Sequence, residues 1–227
     1  MSSAISFITK PMTHSRKAEL NKRFYEDGTK NLRLLEYTRY LEVTRSELRE
    51  WLHWEAIYLV PTLELVLWLK NVIGLSIEST IEIGAGNWNL SRFLGIKATD
   101  IKLQEDPEII KFYERTGQPI IKYPKEVEKL SADDAVKKYQ PSVVLACWVT
   151  QKDPTGEYGN AYGPGFNKLL DDNPCVDKFI FIGSRSVDSH SHLILGKNAK
   201  VDEYDLPFIV SRASKKDSFA LVWRRTV

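Results

Sequence analysis

The run Thr80-Ile81-Glu82-Ile83-Gly84-Ala85-Gly86-Asn87-Trp88 ends an apolar segment on two glycines, and Ala98-Thr99-Asp100 ends the next apolar segment on an acid. Glycine lets the backbone bend, and lets a ligand approach where a Cβ would collide, so Gly84 and Gly86 read as a buried strand turning sharply into a helix. A carboxylate at the end of the following parallel strand lies beside that turn. There Asp100 can accept hydrogen bonds from both hydroxyls of a ribose, which makes the two segments one half of a nucleoside-binding site. A tight turn without a ligand is the plainer reading, and an NAD-dependent oxidoreductase is an alternative. Trp88 argues against NAD, because dinucleotide enzymes keep a small residue there so that helix and strand close around a pyrophosphate.

The elements that must position these residues fall into two groups. Residues 1–75 read as a helical region without strands, with helices at 15–25, 32–41, 45–53 and 62–73 punctuated by Gly28 and Gly74. Thr44 with Glu47 forms a capping box, and Pro61 suits the first turn of the last helix. Trp51, Trp54 and Tyr58 share a helical face that packs the region onto a sheet or, in a sharper reading, covers a ligand. From residue 76 the pattern alternates. Strands are expected at 80–83, 96–99, 119–123, 142–148 and 178–183, with helices starting at Asp106-Pro107 and at Ser131 with Asp134. Two further strand-like runs, 208–214 and 218–226, read as a closing hairpin.

A βα alternation that ends in a β-hairpin is unusual for a dinucleotide domain. From about residue 80 to its end the chain resembles the class I S-adenosylmethionine-dependent methyltransferases. The resemblance implies an α/β fold: a three-layer Rossmann-like sheet of mostly parallel strands, the last strand inserted antiparallel beside the fifth, preceded by the helical region. Residues 76–227 then form the cofactor-binding domain. The resemblance also implies that Glu82, Gly84, Ala85, Gly86 and Asn87 surround the methionine part of S-adenosylmethionine. Asp100 holds the ribose, Ile101, Ser131 and Ala132 meet the adenine, and Trp148 lies near the transferable methyl. An aromatic face there suits a sulfonium cation.

The acceptor is not legible. Many amino-methylating relatives carry an Asn/Asp-Pro-Pro-aromatic run after the fourth strand; the residues here are Cys147-Trp148-Val149-Thr150, which puts adenine or glutamine amide methylation in doubt. The glycine- and aromatic-rich stretch that follows offers Thr150, Gln151, Tyr158, Asn160 and Tyr162 as substrate contacts. A catalytic base is optional, because the sulfonium is already a good leaving group. A cofactor-binding module without methyl transfer, and an enzyme that cleaves S-adenosylmethionine, are the rival readings.

Other constellations point to less. His190 and His192 lack the further ligands of a zinc site, so no metal is expected. Cys147, in an apolar strand, reads as an inert thiol. Arg212, Lys215, Lys216, Arg224 and Arg225 read as a solvated basic edge. A formal charge of +2 over 227 residues carries no strong nucleic-acid signature and slightly favours a small-molecule acceptor over a macromolecular one. Residues 1–12 lack a secretory apolar block, and Pro61 and Glu64 interrupt 56–69, so a soluble cytoplasmic chain with no membrane span is expected. The two cysteines fit a reduced compartment. The helical region offers either a homodimer surface or a substrate lid.

Overall fold

The computed structural model describes residues 11–149, 165–188 and 199–226. The N-terminal helices begin at side-chain caps. Thr13 accepts from the Arg16 amide to start α1 (His14–Phe24). The Thr44–Glu47 capping box starts α3 (Arg45–Trp54). Between them, α2 (Tyr37–Leu41) is a single turn, shorter than the expected 32–41. The preceding residues run extended, bridging Leu32 to Tyr25 and Leu35 to Thr62.

β1 (Leu59–Val60) is a strand in a region read as wholly helical; two residues are too few to show a period. α4 (Leu63–Ile73) follows, capped by Thr62 rather than opened by Pro61, which lies one residue before the cap. Trp51 sits at the centre of the N-terminal cluster. Phe24 is 4.9 Å from both its ring and that of Tyr40, and its indole N–H donates to Asn21 Oδ1 at 2.8 Å. The tryptophan face therefore packs the helices on one another, and α4 is what lies on the sheet.

The remainder alternates: β2 (Thr80–Ile83), α5 (Ser91–Leu94), β3 (Lys97–Asp100), α6 (Pro107–Arg115), β4 (Val127–Lys129), α7 (Ala132–Tyr139), β5 (Val143–Cys147), α8 (Phe166–Asp172), β6 (Lys178–Ser184), α9 (Arg185–Asp188), β7 (Ala199–Tyr204), β8 (Val210–Ser211) and β9 (Ser218–Arg225). Seven strands form one sheet in the order β4-β3-β2-β5-β6-β9-β7. β4 to β6 pair in parallel, and β9 runs antiparallel between β6 and β7. This is the insertion beside the fifth parallel strand that the resemblance implied. The chain winds outward from β2 to β4, then crosses to β5, so the order switches between β2 and β5.

Both faces of the central strands are covered, which is why they read as unbroken apolar runs. On one face Ile81, Ile83, Val144, Ala146, Phe179, Phe181, Phe219, Leu221 and Trp223 pack with Val136 of α7 and with Leu169 and Leu170 of α8. On the other, Val143, Leu145, Ile180, Ile182 and Val222 meet Leu65, Val66, Leu69 and Ile73 of α4.

The outer strands differ from expectation. Residues 119–123 form no strand; β4 is Val127–Lys129, an edge strand whose Val127 alone is buried. The hairpin arm was expected at 208–214, but β8 pairs with β1, and the neighbour of β9 at the sheet edge is β7. Edge strands carry charge on their open side and lose the apolar signal. The basic tail is also less solvated than its sequence suggests. Arg212 donates to the carbonyls of Leu52, His53 and Ile57, and Arg225 to those of Leu170, Asn173 and Val176. Arg224 pairs with Asp202.

Thr62 is fully buried, accepts from the Leu65 amide and donates to the Phe208 carbonyl, joining α4 to the segment before β8. Thr62→Ala should cost about 1 to 2 kcal/mol through the lost cap and hydrogen bond. A urea titration in which Thr62→Ala keeps the parent midpoint would contradict this.

Candidate functional site

At the switch point between β2 and β5 the strand ends open into a cleft, and the local backbone explains its shape. Gly84, Gly86 and Trp88 all adopt positive φ, at 60°, 55° and 65°. At Gly84 a Cβ would stand 2.5 Å from Val149 Cγ2, so glycine is required both by conformation and by space. The turn is tied to β3 by the Ala85 amide, which donates to the Thr99 carbonyl at 3.0 Å.

Asp100 completes the tie. Its Oδ2 accepts from the Gly86 amide at 2.9 Å, and its Oδ1 accepts from the Lys102 amide at 2.7 Å. Each oxygen of an ionised carboxylate can accept a second hydrogen bond. The side chain is only 8% exposed, and burial pushes its pKa up in spite of the two amides. Glu82 lies deeper, at 2% exposure, where its Oε2 accepts from the amide and the hydroxyl of Ser91. Burial raises Glu82 to about 7; the Ser91 hydrogen bonds oppose this and the Asp100 charge adds to it. No described Lys, Arg or His lines the cleft: its charged lining groups are Glu82 and Asp100.

The sequence-named residues are gathered here with few exceptions. Glu82, Gly84, Ala85, Gly86, Asn87, Asp100, Ile101, Ala132 and Trp148 all line the cleft. Ser131 does not. Its hydroxyl caps α7 by accepting from the Asp134 amide, and donates to the Asp134 carboxylate, while its neighbours Leu130 and Ala132 reach the cleft. Thr150, Gln151, Tyr158, Asn160, Tyr162, His190 and His192 lie outside the described residues. Among the described residues no three His, Cys, Asp or Glu side chains converge as metal ligands. Burial first, and then the charges of Glu82 and Asp188, push the Cys147 thiol well up, so it stays protonated at neutral pH.

Sequence reasoning missed Leu59, Gln104, Ile121, Tyr123 and Phe166 as lining residues; Tyr58, on the face whose sharper reading covers a ligand, and Val149, just after the fourth strand, line the cleft as well. Tyr58 had a signal, since it belonged to the aromatic face. Its ring lies 6.1 Å from that of Trp148, and the Arg212 guanidinium stands 4.1 Å from the Tyr58 centroid. Gln104 had none. It is buried within the turn after β3, where its side-chain oxygen accepts from the Ile121 amide at 2.7 Å and draws the 119–123 segment over the cleft. Trp148 adopts φ 59°, and its indole N–H is buried without a partner among the described residues.

No protein-family model and no curated protein matches the chain. Solved structures similar to it include the magnesium protoporphyrin IX methyltransferase of Synechocystis PCC 6803 with bound SAM (15% identity, 93% of this chain and 92% of that one, TM-score 0.44). An rRNA methylase from Streptococcus thermophilus is 13% identical over 71% of this chain and 94% of its own, with a TM-score of 0.41. A putative RNA methyltransferase from Pyrococcus horikoshii is 15% identical over 95% and 100%, with a TM-score of 0.37. Likeness at this level leaves the chemistry to be read from the chain's own residues.

Because Glu82 is protonated more readily folded than unfolded, its contribution to stability is complete below its ordinary value of 4.5 and is lost as pH rises through about 7. That difference corresponds to about 3 kcal/mol. Unfolding free energies measured across this window should fall with pH in the ligand-free protein and fall much less in Glu82→Gln; parallel curves would show that Glu82 is not the titrating group. The raised Asp100 adds a residual slope of the same sign.

Proposed function

We propose that the chain binds S-adenosylmethionine in this cleft and transfers its methyl group to an acceptor. The observation that carries the reading is electrostatic: a cleft at the strand switch point whose charged lining groups, among the described residues, are two buried carboxyls and no cation. A pyrophosphate would meet repulsion there. A ligand with vicinal hydroxyls, an ammonium and a sulfonium would meet acceptors.

The residues present fit the group. Asp100 keeps acceptor capacity for ribose hydroxyls, and Ile101 and Ala132 offer apolar contact to a flat base. Glu82 is a buried carboxyl in no ion pair among the described residues, and so suits the ammonium. Bound S-adenosylmethionine supplies a methyl on a sulfonium that departs as a neutral thioether, so alignment and exclusion of water can provide much of the catalysis. Tyr58 and Trp148 are placed to do both, with aromatic faces favourable to a cation. Cys147, held as the thiol, takes no part as a nucleophile.

The acceptor class we favour is a small molecule, on the small formal charge of +2. Thr150, Gln151, Tyr158, Asn160 and Tyr162 are our proposed acceptor contacts. Among the described residues no helix is long and apolar enough to cross a membrane.

S-adenosylmethionine and S-adenosylhomocysteine should raise the melting temperature by mass action, and NAD should not. Asp100→Ala should weaken S-adenosylmethionine binding by roughly 1.5 to 3 kcal/mol through lost charge-assisted hydrogen bonds, with the fold retained by circular dichroism. Undiminished affinity in that variant would remove Asp100 from the site. S-adenosylhomocysteine formed only with acceptor supports transfer. Consumption of S-adenosylmethionine alone indicates a cleaving enzyme, and binding without turnover on any acceptor indicates a binding module.

Affinity for S-adenosylmethionine should also rise with pH through about 7, where Glu82 ionises, and Glu82→Gln should flatten that profile. A calorimetric pH series separates this from the stability effect. An affinity independent of pH would place the ammonium elsewhere.

A further inference from the structure

A second cavity, of about 310 Å³, lies between the N-terminal helices and β8 and shares no lining residue with the cleft. Its walls are apolar, with Val43, Leu48 and Ile209 among them, and Tyr40 lies in its lining. Tyr40 is 1% exposed, stacks on Phe24, and its hydroxyl has no hydrogen-bond partner among the described residues. Burial pushes that phenol up, so it stays protonated and keeps its donor. A buried hydroxyl left unpaired carries an uncompensated desolvation cost, which an acceptor on a ligand would return.

The charged lining groups of this cavity are cations. Arg45 and Arg49 of α3 and Lys215 of the loop after β8 line it, and among the described residues no carboxylate does. None of the three is in an ion pair among the described residues, whereas Arg16, Arg23, Arg33 and Arg39 of the same region are each held by an acid. Arg45 donates one N–H to the Ala213 carbonyl at 2.9 Å, which fixes it between α3 and that loop and leaves its other donors free. Lys215 stands 5.4 Å from the Tyr37 centroid. A neutral apolar molecule would use the walls alone, and an inorganic anion would use the cations alone.

We propose that this cavity is a binding site for a small organic anion. The ligand has a compact aromatic or apolar body, an acceptor for the Tyr40 hydroxyl, and a carboxylate or phosphate monoester directed at Arg45, Arg49 and Lys215. The site is separate from the cleft and independent of what the cleft binds. The two approach each other at the β1–β8 ladder, where Leu59 lines the cleft and its register partner Ser211 lines the cavity.

Titration calorimetry on the full chain with 4-hydroxyphenyl phosphate and 4-hydroxybenzoate tests the proposal and distinguishes the two anionic groups. One of them should bind one to one, with neutral 4-hydroxybenzamide and inorganic phosphate each at least about ten-fold weaker. Arg49→Gln combined with Lys215→Gln, both at exposed positions, should weaken binding about ten-fold, and added salt should weaken it in the parent. Tyr40→Phe should weaken binding without lowering the melting temperature of the ligand-free protein, because it removes a hydroxyl that has no partner. A Tyr40→Phe protein that is less stable and binds equally well would assign Tyr40 a structural role and overturn the proposal. So would no binding by either anion, equal affinity for the amide, or loss of binding when S-adenosylmethionine is added in excess.

Discussion

Asp100 holds the ends of two neighbouring strands and the turns beyond them in a single arrangement. One carboxylate oxygen receives the amide of the turn after β2 and the other receives the amide of the turn after β3. Those turns are costly by themselves. Trp88 and Lys102 adopt positive φ without being glycine, and L-residues reach that region at a cost of order 1 kcal/mol or more each. The carboxyl returns part of that cost through the two amide hydrogen bonds it accepts, and burial opposes its ionisation. The turn geometry, the acid's charge and the openness of the cleft are therefore one coupled quantity. A ligand that donates hydrogen bonds to Asp100 stabilises all three together, which makes the cleft a place where binding also rigidifies the fold.

Two cations tie the N-terminal region to this arrangement: Arg92 of α5, which pairs with Glu26, and Arg212. Arg212, next to β8, donates to three carbonyls at and beyond the end of α3, and its guanidinium lies over Tyr58. Tyr58 is the aromatic residue that the helical region contributes to the cleft, opposite Trp148. Trp51 and Trp54 stay with the helices: Trp51 is fully buried among Phe24, Tyr25 and Tyr40, and Trp54 lies beside His14 and Lys17. The helical region is thus a small core of its own that reaches the site through Tyr58 and Leu59, and α4 belongs to the sheet it covers.

The parts legible in sequence were those where local chemistry and tertiary structure agree. β2 needed an apolar run stopping at Gly84, and Gly84 is where Val149 forbids a Cβ. The helix starts at Thr44, Asp106 and Ser131 were legible because each cap is made within three residues of itself. What escaped was set by distant partners. β4 and β7 are edge strands whose residues are chosen for an open side, and β1 is a strand only because β8 lies opposite it. Gln104 became part of the site through a hydrogen bond to Ile121, across a span that no periodicity connects. Arg212 and Arg225 looked like solvated charge because sequence shows the charge and not the carbonyls that surround it.

The contrast between the two cavities bears on how charge is used in this fold. Glu82 and Asp100 are buried acids pushed toward neutrality, whereas Arg45, Arg49 and Lys215 are cations at exposed positions and in no ion pair among the described residues. Desolvation dominates the first pair, so a cation that enters the cleft gains most where the acids have lost most, and its effect is little screened by salt. Solvent dominates the second group, whose attraction for an anion falls with ionic strength and needs the apolar walls to become specific. An anionic nucleotide phosphate placed in the cleft would have to neutralise Glu82 and Asp100 before it could settle, and a cationic ligand would instead draw both into their ionised forms. The sign of the cleft therefore constrains its ligand more tightly than its glycines do, since glycines admit any backbone-hugging group and two buried carboxyls do not.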